Sequence, residues 1–328
     1  MDAAAASFSV HGGRLAAASR QFGRPIDEWI DLSTGISPFV YPHDPSAADH
    51  RRLLEPEDLA ALEQVAAHAF GVADAETVVA LPGTDLAIRL LPHLVQSKHP
   101  AILLPIYGGH RAAWPGARPV RSDTIASAGA DCDLLILCNP NNPDGRITPP
   151  DVLRTLPCPL IVDEAFADLH PETSLLPGRA GAIVLRSFGK FFGLAGIRLG
   201  FVVADRPLAR RLRDLVGDWP VSSLAIAAGR AAYADLGWQS AQRARLADAA
   251  ARLDALLARA DMEIVGGTSL FRLARHRHAG DLFAWLARAG ILVRPFADRP
   301  DLLRFGIPGT DDAWQRLSAT VGAWKNQQ

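Results

Sequence analysis

The sequence predicts an α/β fold with a large sheet-based domain and a smaller α+β domain. Three observations predict it. Short apolar runs alternate with segments of helical periodicity over the first two thirds of the chain. The loops that leave those runs are rich in glycine, proline and asparagine, residues suited to turns. Beyond Trp219-Pro220 the pattern changes to a long alanine-rich helical stretch and then a compact alternation of strands and helices. Residues 40–221 are assigned to the large domain, and residues 1–39 and 222–328 to the small one.

With 328 residues, of which 49% are hydrophobic, the chain can bury a large core, and length suggests about two domains. A formal charge of −1 argues against a nucleic acid or other polyanion as the main partner. Cys132, Cys138 and Cys158 lack C-x-x-C spacing. They fit a reduced cytosolic chain with neither a disulfide framework nor a zinc site. The first residues carry no basic region and no long apolar run, so no secretory leader is expected. No stretch approaches the roughly 20 apolar residues of a membrane span.

Along the chain, His11-Gly12-Gly13 reads as a glycine turn feeding a short helix. Its amides could hold an anion, or the turn could be a plain N-terminal cap. Residues 30–33 read as a short strand, followed by a permissive loop through Gly35. Tyr41-Pro42 opens a proline- and charge-rich linker to Pro56. Apolar residues at helical spacing from Leu59 to Phe70 predict a helix that Gly71 stops. Residues 77–81 predict a strand, Gly83-Thr84-Asp85 a turn, and residues 86–94 a helix. Free amides and the positive helix end at such a turn suit a dianionic phosphate, though many α/β turns hold glycine.

Residues 101–105 predict a strand delivering Tyr107, a ligand-stacking ring or a core tyrosine. His110, three residues later, reads as loop surface. Residues 133–138 predict another strand, running into Asn139-Pro140-Asn141-Asn142-Pro143-Asp144-Gly145, a turn-forming cluster. Residues 159–162 predict a buried parallel strand with Asp163 directly after it. That position lies at the carboxyl edge of an open sheet, where ligands bind. Residues 224–260 read as one long helix. Arg304, flanked by Leu303 and Phe305, is a half-buried arginine whose planar fork fits a carboxylate, or else a snorkelling edge residue.

The strand predicted at residues 182–185 leads into Ser187-Phe188-Gly189-Lys190 and on to Arg198-Leu199-Gly200. The chain has three lysines. Lys98 and Lys325 read as solvated, which leaves Lys190 as the candidate for lysine chemistry. Apolar flanks would desolvate its amine, and Arg186 and Arg198 could add the nearby cations that lower a lysine pKa. The bland alternative is a buried stem with its head in water.

Ser187-x-x-Lys190 with Arg198-x-Gly200, the 139–145 cluster and Asp163-Glu164-Ala165-Phe166 together resemble fold-type I pyridoxal-phosphate enzymes of the histidinol-phosphate aminotransferase group. The His11-Gly12-Gly13 opening and Phe166 are most similar to the L-threonine O-3-phosphate decarboxylases of cobalamin biosynthesis; the aminotransferases usually have tyrosine at the Phe166 position. The resemblance implies an aspartate aminotransferase-like fold with a three-layer α/β/α large domain. It implies a cytoplasmic homodimer with shared sites, and pyridoxal 5'-phosphate as cofactor. Lys190 would carry the cofactor as a Schiff base, Asp163 would pair with its ring nitrogen, and Tyr107 would stack on the ring. Asn142 would donate to the phenolic oxygen. Gly83, Thr84, Asp85, Ser187 and Arg198 would hold the phosphate, with Tyr41 reaching the site of the neighbouring subunit. Arg304 would hold the substrate carboxylate, with His11, Gly35 and Asn142 also meeting substrate and Arg14 and Arg294 as further cations. An aminotransferase and a non-catalytic cofactor-binding protein are the competing readings.

Overall fold

The computed structural model describes residues 7–9, 11–47, 51–178 and 181–325. The first six residues, inspected above for a leader, lie outside these, as do part of the linker before Pro56 and the Lys325 side chain. The chain forms two compact units: Val40–Ala241, and the residues up to Phe39 together with those from Gln242 onward.

The larger unit is organised on seven strands: β1 (Val78–Leu81), β2 (Pro100–Leu103), β3 (Arg118–Val120), β4 (Leu134–Cys138), β5 (Leu160–Asp163), β6 (Ile183–Ser187) and β7 (Gly200–Val203). Their order across the sheet is β1-β7-β6-β5-β4-β2-β3. β7 runs antiparallel to both of its neighbours, and the other pairings are parallel. β1, β4, β5 and β7 are buried throughout, which explains why the sequence shows them as unbroken apolar runs rather than alternating ones. Helices Thr84–Leu94 and Arg206–Val216 seal one face, where Ile88, Leu91, Ala209 and Leu212 meet Val79, Ile136, Leu185 and Val202. On the other face Phe70 and Tyr233 pack edge-on to Phe201.

Two sequence expectations change here. The helix expected over 224–260 is two helices, Ser223–Ala234 and Leu236–Arg259. Asp235 separates them by leaving helical geometry and accepting the Trp238 amide at 2.9 Å, an N-terminal cap for the second helix. The boundary expected at residue 221 lies instead at Ala241/Gln242. Helix Ser223–Ala234 belongs to the large unit because Gly229 lets it lie close: a Cβ there would sit 2.8 Å from a Leu62 methyl and 2.7 Å from a Leu199 methyl. The short strand β3 had no expectation; Pro119 at its centre suppresses the strand signal, and the strand is tolerated because it is the sheet's edge.

The smaller unit holds a four-stranded antiparallel sheet, ordered Arg294–Pro295, Leu302–Gly306, Phe271–Arg275, Glu263–Thr268. A parallel two-strand pair, Ile30–Asp31 with Ile291–Leu292, ties the N-terminal segment to it. Phe283, Leu286, Phe305, Trp314 and Leu317 lie in its core. No helix among the described residues is long and apolar enough to cross a membrane.

Candidate active site

Because β1, β2, β4, β5 and β6 point the same way, their carboxyl ends share one edge, and antiparallel β7 begins there. The loops at that edge enclose a cavity of about 210 Å³. Gly83, Thr84 and Asp85 line it from beyond β1, Tyr107 from beyond β2, and Asn142 from beyond β4. Asp163 ends β5, Ser187 and Lys190 follow β6, and Arg198 precedes β7. Phe166 is a buried part of the wall.

One part of the cavity wall gathers a glycine-capped helix start and a guanidinium. Gly83 has φ +88° and caps helix Thr84–Leu94, whose first residues line the cavity and whose positive end suits an anion. A Cβ on Gly83 would sit 2.5 Å from an Arg198 Nη2, and one on Gly200 would sit 2.8 Å from the Thr84 amide nitrogen. The two glycines let backbone and guanidinium approach each other. Arg198 itself adopts the left-handed conformation, φ 61°, uncommon for a side-chain-bearing residue. Its Nη1 donates to the Ala195 carbonyl at 3.1 Å, which fixes the fork. The Asp85 carboxylate accepts from Arg89 Nε at 3.0 Å.

Another part of the wall holds a buried carboxylate. Asp163 is 5% exposed. Its Oδ2 lies 2.9 Å from His110 Nε2, and its Oδ1 accepts the Ala165 amide at 3.1 Å. His110 was expected at the surface. It is 1% exposed, on helix Gly108–Ala113, edge-on to Tyr107. The signal was the three-residue spacing, which stacks residues 107 and 110 along one helical turn; the six-residue helix was too short to show a period. The Cys138 thiol faces the same floor, where burial and then Asp163 push it well above its ordinary value.

Asn142 is aimed by its neighbours. Asn139 donates to the Thr148 and Thr173 carbonyls at 3.0 Å and accepts the Thr148 amide at 2.9 Å. Asn141 donates to the Pro105 carbonyl at 2.9 Å. These bonds pin the turn and direct Asn142 into the cavity. Lys190 is half-buried, and Gly189 permits the loop to close around it: a Cβ at 189 would lie 2.6 Å from the Ala195 Cα.

Arg186 does not act on Lys190. Strand alternation puts it on the opposite face from Ser187. There it bonds Glu164 at 3.2 Å and also pairs with Asp168. Tyr41 does not line the cavity either. Its ring is buried edge-on to Trp238 and Phe192, and its hydroxyl bonds Asp235.

The remaining expected residues lie in the smaller unit, around Ser33. A Cβ on Gly12 would sit 2.4 Å from the Ser33 carbonyl oxygen, and the Gly13 amide donates to Ser33 Oγ at 2.8 Å. The opening glycines therefore serve close docking, and the Gly13 amide is committed to Ser33, not left for an anion. Gly35 is buried, and His11 is exposed. Arg304 is 4% exposed and donates to the Ser33 carbonyl at 3.1 Å. Arg294 is its direct cross-strand partner, so the two guanidiniums share one face. Burial, and then Arg294, lower the Arg304 pKa to about 9. A cation pressed in this way favours an anion beside it.

A family model described as aminotransferase class I and II matches residues 122–318. The chain belongs to the aminotransferase class I and II family. Within it, this family member is 39% identical to the threonine-phosphate decarboxylase of Pseudomonas aeruginosa, across 96% of this chain and 98% of that one. It is 38% identical to that of a Sinorhizobium species, across 91% and 93%. Identity to a histidinol-phosphate aminotransferase of Bradyrhizobium diazoefficiens is 30%, across 89% and 91%. The fold matches a Sinorhizobium meliloti histidinol-phosphate aminotransferase solved in complex with pyridoxal-5'-phosphate, at TM-score 0.80 and 20% identity, covering 95% of this chain and 94% of that one. The expected aspartate aminotransferase-like fold is the observed one.

Proposed function

We propose that this chain is a pyridoxal-phosphate-dependent carboxy-lyase. It converts L-threonine O-3-phosphate to (R)-1-aminopropan-2-ol O-phosphate and carbon dioxide, in cobalamin biosynthesis. The observation that carries this reading is near full-length identity of 39% to a threonine-phosphate decarboxylase, against 30% to a histidinol-phosphate aminotransferase. Phe166 in the cavity wall supports it, because the aminotransferase group usually places a tyrosine there.

The cavity fits pyridoxal phosphate by residue type and place. The glycine-built cradle, with its amides and guanidinium, suits the phosphate. The histidine-backed carboxylate suits a protonated ring nitrogen. Once bound, that group supplies a conjugated ring able to take up the electron pair of a bond broken at the substrate α-carbon.

This chain's residues do the rest. Lys190 would hold the cofactor through Nζ and return a proton to the α-carbon after carbon dioxide leaves. Asp163 would keep the ring nitrogen protonated, its carboxylate fixed by His110. Asn142 would donate to the phenolic oxygen, and Tyr107 would cover one face by offset stacking. The amides of Gly83, Thr84 and Asp85, the Ser187 hydroxyl and the Arg198 guanidinium would hold the phosphate.

Arg304 would bind the substrate carboxylate bidentately and fix its orientation, which selects the bond that breaks. A misplacement of about 1 Å would cost that selectivity. His11, Arg14 and Arg294 are the cations available to the substrate phosphate, with Gly35 and Asn142 as further contacts. In the same reading the enzyme is a cytoplasmic homodimer.

The test incubates the cofactor-loaded enzyme with L-threonine O-3-phosphate. Release of carbon dioxide and the amino-alcohol phosphate is expected. A keto acid, with the cofactor converted to its amine form, would make the protein an aminotransferase; no turnover would leave a binding protein.

A further inference from the structure

The edge of the sheet opposite the cavity carries a thiol pair. β4 and β5 are parallel neighbours, with Leu135 opposite Leu160, so the residues entering them meet. The Leu135 amide donates to the Pro159 carbonyl at 3.0 Å. Just before these positions, Cys132 and Cys158 bring their Sγ atoms to 3.5 Å, though they are 26 residues apart. Cys138, at the far end of β4, faces the cavity and stands outside the pair.

We propose that Cys132 and Cys158 are a reversible oxidation site that takes a small-molecule disulfide as its co-reactant. Cys132 is half-buried and Cys158 is 8% exposed, so the reagent reaches Cys132 first. Burial, and then the neighbouring Cys132, push the Cys158 thiol up to about 12, which also makes it the poorer first nucleophile. The Cys132 thiolate attacks one sulfur of the reagent, forms a mixed disulfide and releases one thiol. Cys158, losing its proton to solvent, then attacks Cys132 Sγ and releases the second thiol. Two protein thiols are oxidised, and one disulfide is reduced to two thiols, which carry away both protons.

Sulfurs already at 3.5 Å need a closure of roughly 1.5 Å to reach bond length, small enough for side-chain rotation. The crosslink would join the entries of two central strands and restrict the unfolded chain more than the folded one. It lies away from the cavity, so cofactor binding is expected to be untouched.

The experiment incubates the cofactor-loaded chain with oxidised glutathione, then counts thiols after denaturation and maps peptides without reduction. The thiol count should fall from three to one, with the Cys132 peptide joined to the Cys158 peptide. Dithiothreitol should restore all three thiols, and the oxidised form should melt at higher temperature with the cofactor spectrum unchanged. In Cys158→Ser the reaction should stop at glutathione on Cys132. Three remaining thiols, a stable mixed disulfide in the unaltered chain, a link through Cys138, or a lower melting temperature on oxidation would each overturn the proposal.

Discussion

His110 shows how much one side chain can decide. Asp163 is a buried acceptor whose Oδ2 has His110 Nε2 at 2.9 Å. Removing that contact with His110→Phe costs about 1–3 kcal/mol of carboxylate stabilisation, so kcat is expected to fall roughly tenfold to a hundredfold. Steady-state kinetics beside cofactor titration would check this; His110→Gln, which keeps a donor, should recover most of the loss. A variant with unchanged kcat would show that the histidine only fills space. Lys190 supports a sharper expectation. Lys190→Ala should lose the borohydride-fixable link to the cofactor, and turnover should drop by at least about 10³-fold, since acid–base work alone contributes about 10²–10⁴. A cofactor still fixed to the protein by borohydride in that variant would move the chemistry to another amine.

At the scale of elements, the cavity depends on three glycines at strand ends. Gly83, Gly189 and Gly200 each stand where a Cβ would collide with another part of the site. At 200 the collision is with the amide nitrogen of Thr84, the first residue of a helix whose start lines the cavity. Backbone there has little freedom to yield, because β7 is hydrogen-bonded on both sides. Gly200→Ala should therefore weaken cofactor affinity about tenfold or more while leaving most of the fold's stability, as read by cofactor titration beside thermal melting. Equal loss of both would mean the glycine serves packing alone. Gly229 is the opposite case: it lets two helices approach, so Gly229→Val should destabilise the larger unit by about 1–3 kcal/mol through overpacking, without reaching the cavity.

At the scale of the whole molecule, stability rests on buried charge that must stay paired. Arg186 bridges Glu164 and Asp168 beneath the sheet, where burial pushes the Glu164 carboxyl up even with the guanidinium beside it. Arg186→Met would strand two carboxylates in low dielectric and should cost about 3–5 kcal/mol, measurable by urea unfolding. A near-neutral result would mean water reaches them. His276 gives the pH dependence. Burial, and then His278, lower its pKa from the ordinary 6.5, and its Nδ1 accepts the His278 amide at 3.1 Å, which requires the neutral ring. The unfolded chain therefore takes up the proton first as pH falls below 6.5. The contribution of His276 is whole above that pH and is lost as pH drops through the depressed folded value. Unfolding free energies measured from pH 7 downward should decline in that window, and His276→Gln should flatten the slope.

The sequence by itself determined the order of the chemistry. Apolar runs marked the strands other than the edge strand β3, and five of them were followed by residues that line the cavity: a glycine turn at 83, tyrosine at 107, asparagine at 142, aspartate at 163, lysine at 190. A parallel sheet sends such ends to one edge, so reading the strands was enough to gather the cavity. What lay beyond reach depended on neighbours distant in the chain. The partners of Arg186, the burial of His110, the approach of Gly229 to Leu62 and the meeting of Cys132 with Cys158 are set by which strands and helices lie side by side. Local periodicity carries no record of that, because a side chain's partners across a sheet are chosen by strand order and register, and only the folded chain fixes both.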